Sequence, residues 1–206
     1  HLFFSISILK LSNKFISLSV SLLNFFDKLT ENLTNGINNC ILGKIEKFDA
    51  ETMKAEVMPL VKYKNKDGSM ENRPLLIEVP VSFLKAGPFV IRPPYKPDDI
   101  VLVVFADEDI ENVLLSGDIS EPNSTRVHSL DDAIVVGGIM PFNTTLPGEH
   151  SSDLIIAKDD FTTKIVVKED GDIEIKGNNI KLDAANDVNI KAAGNVNING
   201  TLINLN

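Results

Sequence analysis

Residues 171–206 read GDIEIKGNNIKLDAANDVNIKAAGNVNINGTLINLN, a stretch in which short apolar bursts alternate with polar residues. Five apolar positions, spaced by 7, 8, 8 and 7 residues, are each followed two positions later by a second apolar residue. The leading residues are Ile173, Ile180, Val188, Val196 and Ile203, and their partners are Ile175, Leu182, Ile190, Ile198 and Leu205. Small or turn-prone residues separate the bursts. The stretch is therefore a short repeat, which predicts a repetitive β structure.

The spacing within each burst indicates which surface the repeat buries. Residues two positions apart lie on the same face of a strand, so each burst presents one apolar pair. A burst and its corner are too short for a full turn of a single-chain β-helix, and a lone meander would leave its apolar face uncovered. Three chains wound together would pair every strand edge and bury the pairs on a shared axis. We therefore predict an intertwined, homotrimeric triple-stranded β-helix with these ten residues in its core. A single-chain meander packed on the preceding domain is the alternative.

The middle of the chain also reads as β structure. Between residues 40 and 142, five or six short apolar runs follow one another, separated by turn signals, which predicts a small closed barrel. IVLVVF (residues 100–105) is nearly continuous and predicts a central strand buried on both faces. ENVLLSGDI (residues 111–119) is interpreted as a further strand. Residues 143–153 have the composition of a linker, and residues 154–206 would form a shaft.

Residues 1–39 differ from the rest of the chain. An apolar leader is interrupted by Lys10 and Lys14 well before it reaches the length of a membrane span. A helix is then predicted to begin at Ser21 and to end near Gly36. Its apolar stripe consists of Leu22, Phe26, Leu29, Leu33 and Ile37. Two interpretations stay open: the helix packs on its own domain, or it docks on another protein.

The composition excludes several classes of function. A formal net charge of −9, with no basic patch, argues against a nucleic-acid surface. One cysteine, Cys40, and three scattered histidines offer no metal site, and we expect neither a metal nor another cofactor. Acidic residues cluster at positions 107–109, 131–132 and 159–160. We interpret these clusters as solvated turns rather than as catalytic pairs or calcium ligands, and we expect no enzymatic activity.

Two stretches resemble a known family. FADEDIENVLLSGD (residues 105–118) and RVHSLDDAIVVGGIMPFN (residues 126–143) resemble the end of the N-terminal domain of phage baseplate spike proteins. TTKIVVKEDGDIEIKG and the repeat after it are similar to the shafts of central spikes from contractile tails, and to the valine-glycine repeat proteins of type VI secretion. The resemblance covers residues 40–206. The fold it implies is mainly β: an N-terminal helical segment, an oligosaccharide/oligonucleotide-binding (OB) barrel at 40–142, and a trimeric β-helical shaft at 154–206.

The resemblance also implies a function. It describes a membrane-piercing spike on the tail of a phage or a phage-tail-like bacteriocin, made in the bacterial host and carried on the particle. Its partners would be two further copies, the baseplate hub or tail tube, and the target cell envelope. Members of the family often hold an iron ion through HxH motifs at the apex, but no histidine follows His150 here. We therefore expect a metal-free tip or a separate capping protein. A β-helical tail fibre or adhesin stalk that binds a receptor is the alternative.

Overall fold

The computed structural model describes residues 17–30, 37–65 and 67–204. The chain divides into two compact units, His1–Asn143 and Thr144–Asn206. Regular structure is mainly β, which confirms the predicted class. Among the described residues, no helix has both the length and the apolar character needed to cross a membrane.

Residues 17–30 form helix α1. The prediction that the helix begins at Ser21 is wrong, because residues 17–20 are already helical. No glycine or proline occurs in this stretch to stop the helix there, and a serine at position 21 is tolerated inside it. All side chains of α1 are exposed.

In the described part of the first unit, nine strands follow α1. They are β1 (Cys40–Asp49), β2 (Lys54–Pro59), β3 (Tyr63–Lys64), β4 (Met70–Glu71), β5 (Leu76–Pro80), β6 (Leu84–Ala86), β7 (Phe89–Ile91), β8 (Ile100–Phe105) and β9 (Ala133–Gly138). Two short hairpins, β3–β4 and β6–β7, form sheets of their own. The remaining five strands carry the core.

These five strands form one curled sheet in the order β5-β2-β1-β8-β9, with every neighbouring pair antiparallel. Just past β5, Val81 pairs in parallel with Val135 of β9, and the Ser82 N–H donates to the Val135 carbonyl at 2.8 Å. The two edge strands of the sheet, β5 and β9, therefore come together just past the end of β5. A five-stranded, partly open barrel of this kind is consistent with an OB-like fold.

The barrel interior is filled by alternate residues of its strands. In β8, Val101, Val103 and Phe105 are buried, whereas the residues between them are only partly buried. The prediction that this strand is buried on both faces is therefore wrong, because a barrel wall has a single interior side. The buried core of the barrel comprises Ile45, Ala55, Val57, Leu76, Val79, Val81, Val101, Val103, Phe105, Ala133 and Val135.

Gly43 of β1 is a point of close approach inside this barrel. A Cβ atom at this position would overlap the Cγ1 atom of Val57 on β2, and the Val103 Cγ2 atom of β8 would be 3.5 Å away. Glycine therefore allows the neighbouring valines to pack over the backbone of β1.

The segment 111–119, predicted as a strand, begins with a helix. Helix α2 spans Glu111–Ser116, and the Asp109 carboxylate accepts a hydrogen bond from the Glu111 N–H at its start. Gly117 ends it in the left-handed region, with a φ of 72°, and donates its N–H to the Val113 carbonyl. Capping at both ends thus overrides the strand-like run of apolar residues.

Up to residue 204, the second unit contains three strands, β10 (Leu154–Ala157), β11 (Lys164–Val167) and β12 (Ile173–Lys176). They form an antiparallel sheet in that order. The predicted turn before β12 is present, and Gly171 supplies its positive φ of 96°. Residues 177–204 contain no helix or strand within one chain.

Candidate functional site

One face of the β10–β12 sheet is lined only by apolar side chains. The strand register aligns Leu154, Val167 and Ile173 in one row across the sheet. A second row aligns Ile156, Ile165 and Ile175. Residues directly opposite one another on neighbouring strands share a face, so the six side chains form one surface, here called the apolar face. Each of the six residues has between 43% and 69% of its surface exposed.

The opposite face of the same sheet is covered by its own unit at the middle strand, whereas Ala157 and Lys176 on the outer strands are exposed. Val166 is completely buried there, and Lys164, on the same face, is 5% exposed. Phe161, in the loop before β11, is also buried. A sheet of three short strands that exposes six apolar residues on one side is typical of an interaction surface.

Two of the predicted core residues, Ile173 and Ile175, lie on the apolar face. Seven more follow it in the chain: Ile180, Leu182, Val188, Ile190, Val196, Ile198 and Ile203. These seven are between 47% and 73% exposed, and the second unit does not gather them into a buried cluster. The tenth, Leu205, lies outside the described residues.

Sequence reasoning missed four residues of this surface. Leu154, Ile156, Ile165 and Val167 share the apolar face with the predicted pair, but they belong to the runs LIIA and KIVV. In such continuous runs the inward and outward residues are both apolar, so the two-residue period is not visible. The spacing of Leu154 from Ile156, and of Ile165 from Val167, was the available signal.

The predicted docking stripe is exposed where the structure describes it. Leu22, Phe26 and Leu29 lie on α1, each at least 42% exposed. Leu33 is outside the described residues, and Ile37 follows the undescribed segment and is also exposed. The apolar surface of α1 is wider than one stripe. It also includes Leu18, Val20, Leu23 and Phe25.

Two of the acidic clusters contribute to an ion-pair network in the first unit. Arg126 donates from Nε to Asp132 Oδ2 at 2.7 Å and from Nη2 to Asp109 Oδ1 at 2.9 Å. The side chains of Asp109 and Asp132 are 0% and 1% exposed. Ser124 donates its hydroxyl to Asp109 Oδ2 at 2.7 Å, and the Ile110 N–H donates to Asp132 Oδ1. The two carboxylates therefore hold the loop between β8 and β9 in place.

The electrostatics of this network agree with that structural role. Burial alone would raise the pKa of Asp109, but the Ser124 hydroxyl, the Glu111 N–H and the Arg126 guanidinium together lower that pKa below its usual range. Asp132, with its two hydrogen bonds from the guanidinium, raises the pKa of Arg126. Asp109 and Asp132 are thus saturated by donors, and neither is arranged as a proton donor in a cleft.

The described residues include no group of three or more His, Cys, Asp or Glu side chains arranged to hold a metal ion. In the third acidic cluster, Asp160 accepts hydrogen bonds from the N–H and the hydroxyl of Thr162, at 3.0 and 2.7 Å. This contact is a local turn motif, and it lowers the pKa of Asp160.

A polar cluster lies on the side of the β10–β12 sheet opposite the apolar face. His150 Nδ1 is 2.8 Å from Asp153 Oδ2, and His150 Nε2 is 2.7 Å from Lys164 Nζ. Lys164 also donates to Glu149 Oε1 at 3.2 Å and lies 3.6 Å from Glu174 Oε1. We call these five residues the clamp. They join residues 149–153, which composition marks as part of a linker, to β11 and β12.

The clamp also reaches the turn between β11 and β12. Asp153 Oδ1 accepts a hydrogen bond from the Glu169 N–H at 3.1 Å. The hydrogen bonds from His150 and from the Glu169 N–H lower the pKa of Asp153. The segment before β10 is therefore attached to the sheet at two separate points.

The barrel is the part of the chain that matches a known family. Residues 41–138, from the second residue of β1 to the end of β9, match the family model of the phage protein Gp138 N-terminal domain. None of the curated proteins compared with the sequence matches it. A Gp138-type domain supports a role in the phage tail or baseplate and a place on the virion. The chain is accordingly a phage structural protein with a role in the tail or baseplate.

Proposed function

We propose that the chain is the central spike at the tip of a contractile phage tail or a phage-tail-like bacteriocin. Three copies would join through the second unit and form a shaft. The first unit would connect this shaft to the tube and hub of the tail. Sheath contraction, which the resemblance implies, would drive the shaft through the target cell envelope, and no catalytic step is needed.

The apolar face is the observation that carries this proposal. Six apolar side chains stay exposed on one side of the β10–β12 sheet, so the free energy of burying them is available to a partner. The face contains no charged residue, whereas each chain has a formal net charge of −9. Copies can therefore meet there without bringing like charges together.

The repeat extends the same arrangement along the chain. Its apolar residues begin seven positions after Ile173 and keep the two-residue spacing of Ile173 and Ile175. As far as residue 204, where the described part ends, they form no strands within one chain and remain exposed. Winding three copies together gives these bursts strand partners and places their apolar pairs on one axis. The resulting shaft would be narrow and polar outside, and either bare at its tip or capped by a separate protein.

Helix α1 is proposed as the attachment to the hub or tail tube. Its exposed apolar residues, Leu22, Phe26 and Leu29 among them, fit the helix-in-groove mode of protein recognition. The barrel and α1 would then remain with the particle while the second unit faces the target cell.

The native mass in solution tests the trimer directly. A mass three times the 22.6 kDa of one chain is expected, and a monomer at micromolar concentration would refute the shaft. Ile190→Asp should abolish the trimer, because it brings three carboxylates to the shared axis. Asn189→Asp adds the same charge to the neighbouring, outward position and should leave the trimer intact. An unchanged trimer in Ile190→Asp would show that Ile190 does not face the axis.

Imaging of the assembled particle separates the spike from the fibre alternative. Labels fused to the barrel should appear at a single position on each particle, the distal end of the tail tube. Labels on the peripheral fibres would instead support a receptor-binding stalk and refute the spike.

A further inference from the structure

The β6–β7 hairpin of the barrel has one exposed apolar face. The strand register places Leu84 opposite Ile91 and Ala86 opposite Phe89, so these four side chains share a face, and all four are exposed. Residues 84–96, which contain the hairpin, include three basic residues and no acidic one. We call residues 84–96 the basic patch. Its charged residues are Lys85, Arg92 and Lys96.

Helix α2 and the residues around it have the opposite charge. Residues 107–121 include six acidic residues and no basic one, and we call them the acidic patch. Asp109 is paired with Arg126 inside the chain, so five of the six acidic residues lie outside that ion pair. No residue of α2 is buried, and the patch exposes apolar side chains beside its charges. The large ones are Val113, Leu114, Leu115 and Ile119.

The two patches lie at opposite ends of strand β1. Arg92 Nη1 donates a hydrogen bond at 2.9 Å to the carbonyl of Ala50, in the turn that follows β1, and so attaches the basic patch to that end. At the other end, the Phe105 N–H donates to the carbonyl of Asn39, just before β1. Phe105 is the last residue of β8, and the acidic patch follows it in the chain. One barrel therefore does not bring its own two patches together.

We propose that the basic patch of one barrel binds the acidic patch of a second copy. Both patches combine exposed apolar side chains with charges of a single sign, and the two signs are opposite. A contact between two identical patches would bring like charges together, so the copies are joined head to tail. Helix α1 offers neither patch an excess of the opposite charge, because its residues 17–30 include one acid, Asp27, and one base, Lys28.

This contact rests on the trimer proposed above and specifies how its barrels meet. A head-to-tail contact closes into a ring of three when each copy is rotated by one third of a turn from the last. Two short patches bind weakly as free monomers. Once the shaft has joined the copies, however, the contact becomes intramolecular and forms at a high effective concentration. The contact would then fix the three barrels relative to one another.

Cross-linking of the full chain tests the contact. Phe89→Cys and Leu115→Cys are introduced together into a chain that carries Cys40→Ser, which removes its one native cysteine. Both new positions are exposed, at 77% and 79%, so folding should be unchanged, as circular dichroism can check. A short bismaleimide should link two and three chains of this variant on a denaturing gel. Chains with either cysteine alone should stay unlinked, because each reactive site then lacks its partner.

A charge reversal tests the electrostatic part of the same contact. Lys85→Glu, added to the double-cysteine chain, should lower the initial rate of cross-linking by about two- to tenfold, because it turns an attraction to the acidic patch into a repulsion. Lys64→Glu makes the same change on the exposed β3–β4 hairpin and should leave the rate unchanged. Equal rates in the two variants would contradict the pairing of opposite charges.

The native mass of the same samples separates failure of this contact from failure of the spike. A trimer that yields no link between chains would refute the contact and leave the shaft intact, as expected if the two patches serve the hub instead. Links in a single-cysteine chain would show that like patches meet, and would refute the head-to-tail arrangement. A monomer without links would refute both the contact and the trimer.

Discussion

Replacing Ile165 with aspartate separates folding of the second unit from association between copies. Ile165 lies on the middle strand, β11, between Ile156 and Ile175 on the apolar face. It is 45% exposed in one chain, so the new carboxylate can reach water. Folding of the single chain should then lose roughly half of the burial energy of an isoleucine, about 1 kcal/mol.

The effect on a trimer should be much larger. Association would bury the remaining half of each Ile165 side chain, about 1 kcal/mol per copy and about 3 kcal/mol for three copies. A loss of about 3 kcal/mol weakens association by more than about 100-fold, before any charge is considered. Three carboxylates brought together away from water add a further penalty. Ile165→Asp should therefore yield folded monomers at concentrations where the wild type is trimeric.

Sedimentation equilibrium over a series of protein concentrations measures the association, and circular dichroism measures the folding of the same samples. Asn179→Asp is the matched control, since it adds one negative charge at an exposed position just after β12. If Ile165→Asp and Asn179→Asp dissociate at the same concentration, the apolar face does not lie on the shared axis. A wild-type chain that remains monomeric throughout would refute the same reasoning.

Three further predictions concern the first unit and the attachment of the protein. Gly43→Ala should lower the free energy of unfolding by about 1–3 kcal/mol in urea titrations, whereas Gly137→Ala, with open space around its Cβ position, should change it by less than about 0.5 kcal/mol; equal effects would contradict the close approach at β1. Arg126→Met should lower the urea midpoint at about pH 7, and the deficit should shrink towards about pH 3. The reason is that the pKa of Asp109 is lower in the folded than in the unfolded state, so its carboxylate stabilises the fold at any pH above the unfolded-state pKa. This stabilisation is lost as the pH falls through the folded-state pKa. A deficit independent of pH would exclude Asp109 as the source. Deletion of residues 1–37 should leave a trimer that is missing from purified particles, and incorporation at the wild-type level would refute docking through α1.

The barrel could be predicted where its strands alternate with clear turns. Its existence and the stretch around β9 followed from short apolar runs and turn residues, because each strand finds its partners within the same hundred residues. Helix α2 could not be predicted in the same way. Its first N–H is capped by Asp109, which is itself held by Arg126, fifteen positions after Glu111. Asp109 before the helix and Gly117 after it are local signals of helix ends, but the apolar run between them was interpreted as a strand.

The clamp was missed for a related reason. Glu149, His150 and Asp153 occur in a stretch with the composition of a linker, and Lys164 reads as an ordinary solvated lysine. Only the antiparallel pairing of β10 with β11 brings Lys164 next to the preceding segment. Polar contacts between residues fourteen positions apart depend on that register, which composition alone does not specify.

The two units differ in how completely a single chain buries its own apolar residues. In the barrel, alternate strand residues meet in one interior, so the pattern of the sequence can be checked against a core that is present in the same chain. In the second unit, Lys164 and Val166 on the side with the clamp are buried within the chain, whereas the apolar face and the described part of the repeat are exposed. Period-two spacing predicts which residues share a face in both units, but it contains no information about what covers that face. The partner must be inferred from the absence of charged residues on the apolar face and from the repeat, which keeps the same two-residue apolar spacing. The Ile165→Asp variant therefore tests the association of copies through the apolar face, which neither the sequence nor one folded chain shows directly.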